Sequence, residues 1–141
     1  MKNYNKHILS TLTILSFFFL LIATGEDNSG IEESISDMAT DVEITALQLH
    51  EAYESNEVSA DLNYKGKVLS VAGEIYGIKT NSFTDEIYVE LKGEYIGQVD
   101  CYFADSHKQE AANLSKGQIV TIKGLCDGKM ISVRLNGCSL E

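Results

Sequence analysis

The sequence predicts a small, mainly β domain of five strands, with one helix before the strands and a short helix between the third and the fourth. Two observations lead to this prediction. Residues 66–104 contain three runs in which apolar and polar residues alternate with the period of two that half-buried strands show. Two further runs, 118–126 and 129–140, flank Asp127-Gly128, a dipeptide typical of tight hairpin turns.

The first ordered element is predicted to be a helix. Thr45 and Gln48 have the spacing of a capping box, in which each side chain bonds the backbone of the other residue. Apolar residues recur after Thr45 at helical spacing and predict a helix from Ala46 to about Asn56. A helix this short is marginal on its own, so it needs the sheet to pack against.

The order of the remaining elements indicates a barrel. Residues 66–78, 86–93 and 97–104 are predicted strands, and residues 106–117 break the alternation with helix-forming residues. Gly73 lies inside the first strand, where a barrel strand has to bend. Five strands with a helix between the third and fourth are the layout of an OB-fold barrel. An SH3-like barrel or an open α+β sheet is the alternative, and the helix between the strands favours the OB-fold.

Residues 1–25 have the pattern of a secretory signal peptide. They contain two lysines and no acidic residue, followed by a 16-residue run from Ile8 to Ala23 that only Ser and Thr interrupt. Ala23 and Gly25 are small residues at the −3 and −1 positions of a cleavage site before Glu26. The alternative is an uncleaved anchor, although the run is shorter than the roughly 20 residues that span a bilayer core. We therefore expect export to the periplasm or cell surface, with membrane attachment only if this segment is uncleaved.

Acidic residues dominate the rest of the chain. Residues 26–43 contain seven acids and no base, which predicts a flexible linker before a domain over 44–141. The whole chain has 21 acidic and 11 basic residues, a net charge of −10. Removal of residues 1–25 takes two lysines and no acid, leaving 21 acids against 9 bases, a net charge of −12. Such a charge disfavours nucleic acid as a partner.

Four stretches resemble the tRNA_anti-like family of bacterial OB-fold proteins. They are ALQLHEAYESNEVSADLNYKGKVLSVAGEI, VDCYF, KGQIVTIKGLCDG and VRLNGC, and the resemblance covers about residues 44–141. It implies the OB-fold and, for many members, an exported or lipid-anchored setting. This chain departs from the lipid-anchored members because no cysteine lies near the predicted cut. The family name records similarity to anticodon-binding domains, and the resemblance implies no catalytic residue.

Three cysteines lie in the predicted strands, and an oxidising compartment favours their pairing. The third and fifth strands of an OB-fold are parallel neighbours, so Cys101–Cys138 is the preferred bridge. Cys101–Cys126 is the alternative, because both residues have inward parity. A turn at Asp127-Gly128 would pair Cys126 with Met130 and leave Cys138 about 25 Å from Cys126. This distance disfavours a Cys126–Cys138 bridge. Without a bridge, the thiols would act as small apolar core side chains.

No metal, cofactor or catalytic site is predicted. The cysteines lack the CxxC spacing of zinc sites. His7, His50 and His107 are far apart in sequence and are interpreted as solvent-exposed surface residues. The sequence contains no GxSxG, Walker or HExxH motif, so we expect a protein that is not an enzyme.

Tyrosines on the second and third strands give a candidate ligand face. Tyr88 and Tyr102 have outward parity on the two strands that OB-folds use to bind oligonucleotides or sugars. Glu90 and Asp100 share this parity, which opposes binding of a phosphate backbone. The alternative is that these tyrosines are ordinary exposed strand residues. The candidate ligand-binding residues are Tyr76, Tyr88, Lys92 and Tyr102.

These observations predict an exported OB-fold binding or interaction module of the cell envelope. Its expected partner is a small molecule, a glycan or an envelope protein. Single-stranded nucleic-acid binding, as in anticodon-binding domains, is the alternative function. Affinity that falls steeply with salt would separate the nucleic-acid alternative from the first prediction.

Overall fold

The computed structural model describes residues 35–95 and 97–141, so the predicted signal peptide and residues 26–34 of the predicted linker lie outside the described residues. The elements are β1 (Val42–Thr45), α1 (Ala46–Ser55), α2 (Glu57–Tyr64), β2 (Val68–Thr80), β3 (Ile87–Lys92), β4 (Gly97–Phe103), a 3₁₀ turn (Asp105–His107), α3 (Lys108–Ala112), β5 (Ile119–Lys129) and β6 (Val133–Leu140).

The strands form a closed barrel. Their order is β1-β2-β3-β4-β6-β5, and β5 also pairs with β2, which closes the five strands β2 to β6 on themselves. Within the barrel β4 and β6 run parallel, and the other neighbours are antiparallel. Helix α3 lies between the third and fourth barrel strands. This is the OB-fold arrangement, so the predicted fold class is confirmed.

The barrel interior is filled by the inward residues of every strand. Leu69, Val71 and Ile75 of β2 are fully buried, as is the remaining set of Val89, Leu91, Val99, Cys101, Ile122, Val133 and Leu135. Because successive strand residues point to opposite faces, the outward residues between them form the outer surface. No helix in the described part of the chain is long and apolar enough to cross a membrane.

Helix α1 begins at the predicted capping box. Thr45 Oγ1 accepts a hydrogen bond from the Gln48 backbone N–H at 3.2 Å, and Gln48 Oε1 accepts one from the Thr45 N–H at 3.2 Å. The helix buries Leu49 and Tyr53 against the barrel. His50 lies on the same helix and is only 8% exposed, so the prediction of a solvent-exposed His50 was wrong. The sequence pattern around α1 was too patchy to show that its buried stripe extends to His50.

His107 also differs from its predicted surface role. Its side chain is 23% exposed, and its Nδ1 lies 2.8 Å from Glu110 Oε1. Glu110 accepts a further hydrogen bond from the Leu140 backbone N–H at 3.0 Å. These contacts attach α3 to the end of β6, so His107 is a partly buried, paired residue.

Helix α2 was not predicted. Asn56 starts it, since Asn56 Oδ1 accepts a hydrogen bond from the Ser59 N–H at 3.0 Å. Only Ala60 of this helix is buried, whereas Val58 and Leu62 are exposed. The apolar pair Val58 and Leu62, spaced as i and i+4, therefore faces solvent and not the core.

Part of the predicted flexible linker is folded. Ile35 is 3% exposed, and β1 pairs in parallel with β2. The Asp41 N–H donates to the Val68 carbonyl at 2.8 Å, and the Val68 N–H donates to Asp41 Oδ2 at 2.8 Å. The prediction of a flexible linker over residues 26–43 was therefore wrong for residues 35–43. One of the acidic residues in this stretch, Asp41, accepts a hydrogen bond from the backbone of β2.

The Asp127-Gly128 dipeptide is a bulge within β5 and does not form the predicted turn. The β5–β6 register shifts between Cys126 and Gly128, and Gly128 has a φ of +86°. The chain reverses at Met130–Ser132, three residues further on. A left-handed glycine suits a bulge as well as a tight turn, so the sequence alone did not separate the two. As a result, Cys126 lies opposite Leu135 and not opposite Met130.

Gly73 lies next to the point where β2 changes partner, since residues 68–74 pair with β5 and residues 75–80 pair with β3. The β2–β3 register shifts at Tyr76, between Ile75 and Gly77. At Gly73, an added Cβ would lie 3.0 Å from the Cβ of Ala46. The glycine therefore lets α1 approach the barrel closely.

Candidate ligand-binding face

The outer surface of β3 and β4 carries two stacked tyrosines. Tyr88 lies directly opposite Tyr102, while the inward pair Val89 and Cys101 points into the core. The two rings have centroids 4.9 Å apart and an interplanar angle of 19°. Lys79 of β2 lies opposite Tyr88 on the other side. The predicted outward orientation of both rings is thus present, and the rings stand in a row across the sheet.

Arg134 of β6 extends this row. Its guanidinium carbon lies 3.9 Å from the centroid of the Tyr102 ring, a cation–π contact. Because β4 lies between β3 and β6, Tyr88 and Arg134 cover opposite sides of Tyr102. Arg134 Nε donates to Asn136 Oδ1 at 2.7 Å, and its Nη2 lies 3.9 Å from Glu86 Oε2. The guanidinium is therefore fixed in position by these contacts.

Two carboxylates lie beside the stacked rings. Glu90 and Asp100 are directly opposite each other on β3 and β4. Lys79 Nζ lies 2.8 Å from Glu90 Oε1, whereas the buried Glu90 Oε2 has no hydrogen-bond partner among residues 35–95 and 97–141. The Ser132 hydroxyl donates to Asp100. Within the same described ranges, no lysine or arginine pairs with the Asp100 carboxylate.

The surroundings of Asp100 disfavour its charge. Burial raises the pKa of the Asp100 carboxyl above its usual value, and the nearby Glu90 carboxylate adds to this effect. The hydrogen bond from Ser132 and the charges of Lys79 and Arg134 act in the opposite direction without cancelling it. The face therefore carries one carboxylate, Asp100, that no ion pair within the described residues neutralises.

A cleft of about 200 Å³ opens next to these groups. It is lined by Asp100, Tyr102, Met130, Ile131, Ser132 and Arg134. Met130 and Ile131, in the turn between β5 and β6, are 89% and 94% exposed. Two large apolar side chains in this position form an apolar rim beside a polar and aromatic floor.

The structure does not group all four predicted ligand-binding residues. Tyr88 and Tyr102 are in contact, but Tyr76 lies under Lys116, whose Nζ is 4.8 Å from its ring centroid. Lys92 Nζ lies 3.8 Å from Glu74 Oε2. Sequence reasoning missed Arg134 and the Met130–Ile131 rim. The Arg134 contact depends on the parallel β4–β6 register, which shifts between Cys101 and Phe103 and has no local sequence signal.

The three cysteines are buried as free thiols inside the barrel. Cys101 and Cys138 are neighbours in the core, and burial together with the nearby Cys101 thiol raises the pKa of the Cys138 thiol. Cys126 Sγ instead lies 3.7 Å from the Tyr53 hydroxyl. The preferred pair of the sequence analysis is thus a pair of neighbouring thiols. No group of three histidine, cysteine or acidic side chains in the described residues is arranged to hold a metal ion.

The closed barrel places this chain in the OB-fold class. The sequence pattern of the tRNA_anti-like family matches residues 1–139, and the chain belongs to that family. Among solved structures it is similar to a presumed nucleic acid-binding lipoprotein from Klebsiella pneumoniae subsp. pneumoniae MGH 78578, with a TM-score of 0.58 and 19% sequence identity. The match covers 77% of this chain and 96% of the other. None of the curated proteins matches this chain.

Proposed function

We propose that the protein is a binding module of the cell envelope, with no catalytic activity, which holds a protein or glycan ligand across the β3–β4 face. The observation that carries this proposal is the fixed stack of Tyr88, Tyr102 and Arg134 beside the exposed rim of Met130 and Ile131. The envelope setting is supported by the pattern of residues 1–25 and by the presumed lipoprotein nature of the Klebsiella neighbour.

The arrangement of this face suits a ligand held by surface contact. Rings that are already ordered by their neighbours lose little conformational entropy when a ligand packs on them. Met130 and Ile131 expose apolar area next to the rings, and such patches beside polar groups mark interaction sites. OB-folds bind ligands on this same pair of strands and on the adjoining loops.

Site-specific photo-crosslinking in the native host tests the proposal. A photoreactive phenylalanine analogue replaces Ile131 on the rim, and the matched control replaces Leu62, which is exposed on α2. We expect a crosslinked product at position 131 that is absent at position 62. Tyr102→Ala in the same background should abolish it, because the stack positions Arg134 and the floor of the cleft.

Treatment of the product identifies the ligand class. A product whose tryptic digest contains peptides of a second protein, or a product that becomes smaller after glycosidase digestion, supports the proposal. A nuclease-sensitive product supports the second candidate below. Equal crosslinking at positions 131 and 62, or none at either, would show that this face is not the binding surface.

Single-stranded nucleic-acid binding is the second candidate. It is favoured by the description of the Klebsiella neighbour and by the use of this face in other OB-folds. Against it, Tyr102 is covered on both sides, Lys79 is paired with Glu90, and the chain carries a net charge of −10. Fluorescence anisotropy with a labelled oligothymidine decides the question. Binding that weakens steeply with salt and is lost in Tyr88→Ala would establish this candidate.

A further inference from the structure

We propose that the cleft beside Tyr102 receives a cationic side chain of a protein partner, with Asp100 as its counter-ion and the Met130–Ile131 rim packing against the partner's neighbouring apolar residues. This inference rests on the proposed function, because it uses the same face. It narrows the ligand to a protein segment that presents a lysine or arginine between apolar side chains.

The charges around the cleft carry the argument. Asp100 lines the cleft and has a hydroxyl donor, Ser132, but no ion-pair partner among residues 35–95 and 97–141. Lys79 is already paired with Glu90, and the Arg134 guanidinium is held over the Tyr102 ring. An incoming ammonium or guanidinium would therefore meet an unpaired negative charge.

The same charges disfavour an anion. A ligand phosphate or carboxylate would have to pull Arg134 from Tyr102, Asn136 and Glu86 while facing the Asp100 carboxylate. Glu90 lies directly opposite Asp100 and adds negative charge. At longer range, a net charge of −10 attracts cationic partners and repels anionic ones.

The size of the cleft points to a side chain of a larger partner. Its volume of about 200 Å³ is smaller than the roughly 300–1,000 Å³ of sites that enclose whole small ligands. One long side chain fills such a space. Met130 and Ile131 stand at its rim almost fully exposed, which leaves apolar area for the residues that flank the cation.

Three matched peptides test the inference. Acetyl-Leu-Lys-Leu-amide, acetyl-Leu-Gln-Leu-amide and acetyl-Leu-Glu-Leu-amide differ only in the central residue, which is cationic, neutral or anionic. Each is titrated into ¹⁵N-labelled protein purified after expression of the full chain, and amide shifts are followed at Asp100, Tyr102 and Ser132. We expect the lysine peptide to bind about fivefold more tightly than the glutamine peptide, the gain typical of a favourable partly exposed ion pair. The glutamate peptide should bind most weakly.

Two variants separate the cation site from the general surface. Asp100→Asn keeps an acceptor for Ser132 and should bring the lysine and glutamine peptides to equal affinity. Glu43→Gln removes an exposed carboxylate on β1, at the sheet edge away from β4, and should preserve the fivefold preference. An equal loss in both variants would mean that overall charge, and not Asp100, selects the cation, and would overturn the proposal.

The remaining outcomes are distinct from a failure of the proposed function. Equal shifts with all three peptides would overturn the cation inference and leave the binding face intact. Preference for the glutamate peptide would assign recognition to Arg134 and would likewise overturn the cation inference. Butylammonium binding as tightly as the lysine peptide would show a small-amine site and rule out the protein partner. If no peptide shifts these residues, the inference is wrong, and the crosslinking at position 131 still decides the proposed function.

Discussion

At the scale of single residues, Asp100 places a charge where the fold disfavours it. Burial raises the pKa of this carboxyl, and the opposite Glu90 raises it further. A carboxyl whose pKa is higher in the folded than in the unfolded state favours folding most when it is protonated. Its contribution to stability is therefore present at acid pH and is lost as pH rises from the ordinary carboxyl range through the raised value.

Asp100→Asn should consequently stabilise the protein at pH 7. The amide is neutral at every pH and still accepts the Ser132 hydrogen bond, so it mimics the protonated acid. We expect a higher urea midpoint than wild type at pH 7 and no difference at about pH 3, below the ordinary Asp pKa. Glu43→Gln on β1 serves as the control, with a change of about 0.5 kcal/mol or less. A less stable Asp100→Asn at pH 7 would contradict this account. A residue that lowers stability but is needed for binding fits the trade-off common at functional sites.

Gly124 of β5 is required by close packing against β6. An added Cβ would lie 2.5 Å from Cys138 Sγ and 3.1 Å from the Leu135 Cβ. Gly124→Ala should destabilise the fold by about 1–3 kcal/mol, as overpacked cores do. In a Cys138→Ala background the same change should cost less, because the closest atom is gone. Urea unfolding of the four proteins in this cycle measures both values, and equal costs in the two backgrounds would contradict the contact.

At the scale of elements, the capping box determines where α1 starts. Thr45 ends β1 and caps α1, so the direction in which the helix leaves the sheet depends on this residue. Thr45→Ala should reduce the free energy of unfolding by about 1 kcal/mol. Thr80→Ala, at the exposed end of β2, is the matched control and should change stability little. An equal effect of both substitutions would show that the cap contributes nothing specific.

Elements with a clear local pattern were predicted, and those stabilised by distant contacts were not. The five barrel strands follow from alternation, and α1 follows from its capping box and apolar spacing. Helix α2 was missed because only Ala60 of its eight residues is buried, so it has no core-facing apolar stripe. The first two residues of β1, Val42 and Glu43, were taken as linker because the pairing of β1 with β2 joins residues about 27 positions apart, which composition does not show.

At the scale of the whole molecule, barrel closure creates the candidate site. Strand parity predicted that Tyr88 and Tyr102 face outward. The third member of the stack, Arg134, is 32 residues further along the chain than Tyr102 and reaches it only because β6 pairs with β4. The Met130–Ile131 rim likewise follows from the shift of the turn away from Asp127-Gly128. The aromatic half of the face was therefore predictable, and the cation and the rim required the closed topology.

The fold also determines which thiols can pair if the protein is exported. Cys101 and Cys138 are neighbouring buried thiols, and Cys126 lies beside Tyr53. We predict a Cys101–Cys138 bridge in protein from the native envelope: each thiol loses one hydrogen to a disulfide-bearing oxidant, which is reduced to a dithiol. Closing a loop of about 37 residues should stabilise the fold by on the order of 4 kcal/mol in the chain-entropy model.

Intact mass after thiol alkylation without reduction tests this prediction together with export. One alkylated thiol, assigned to Cys126 by peptide mapping, and loss of residues 1–25 are the expected result. Cys126→Ser should keep the bridge, whereas Cys101→Ser should abolish it. Three alkylated thiols on an uncut chain would contradict both predictions. A reducing compartment would then be its setting, and the envelope partner inferred for the Asp100 cleft would have to be sought among cytoplasmic proteins.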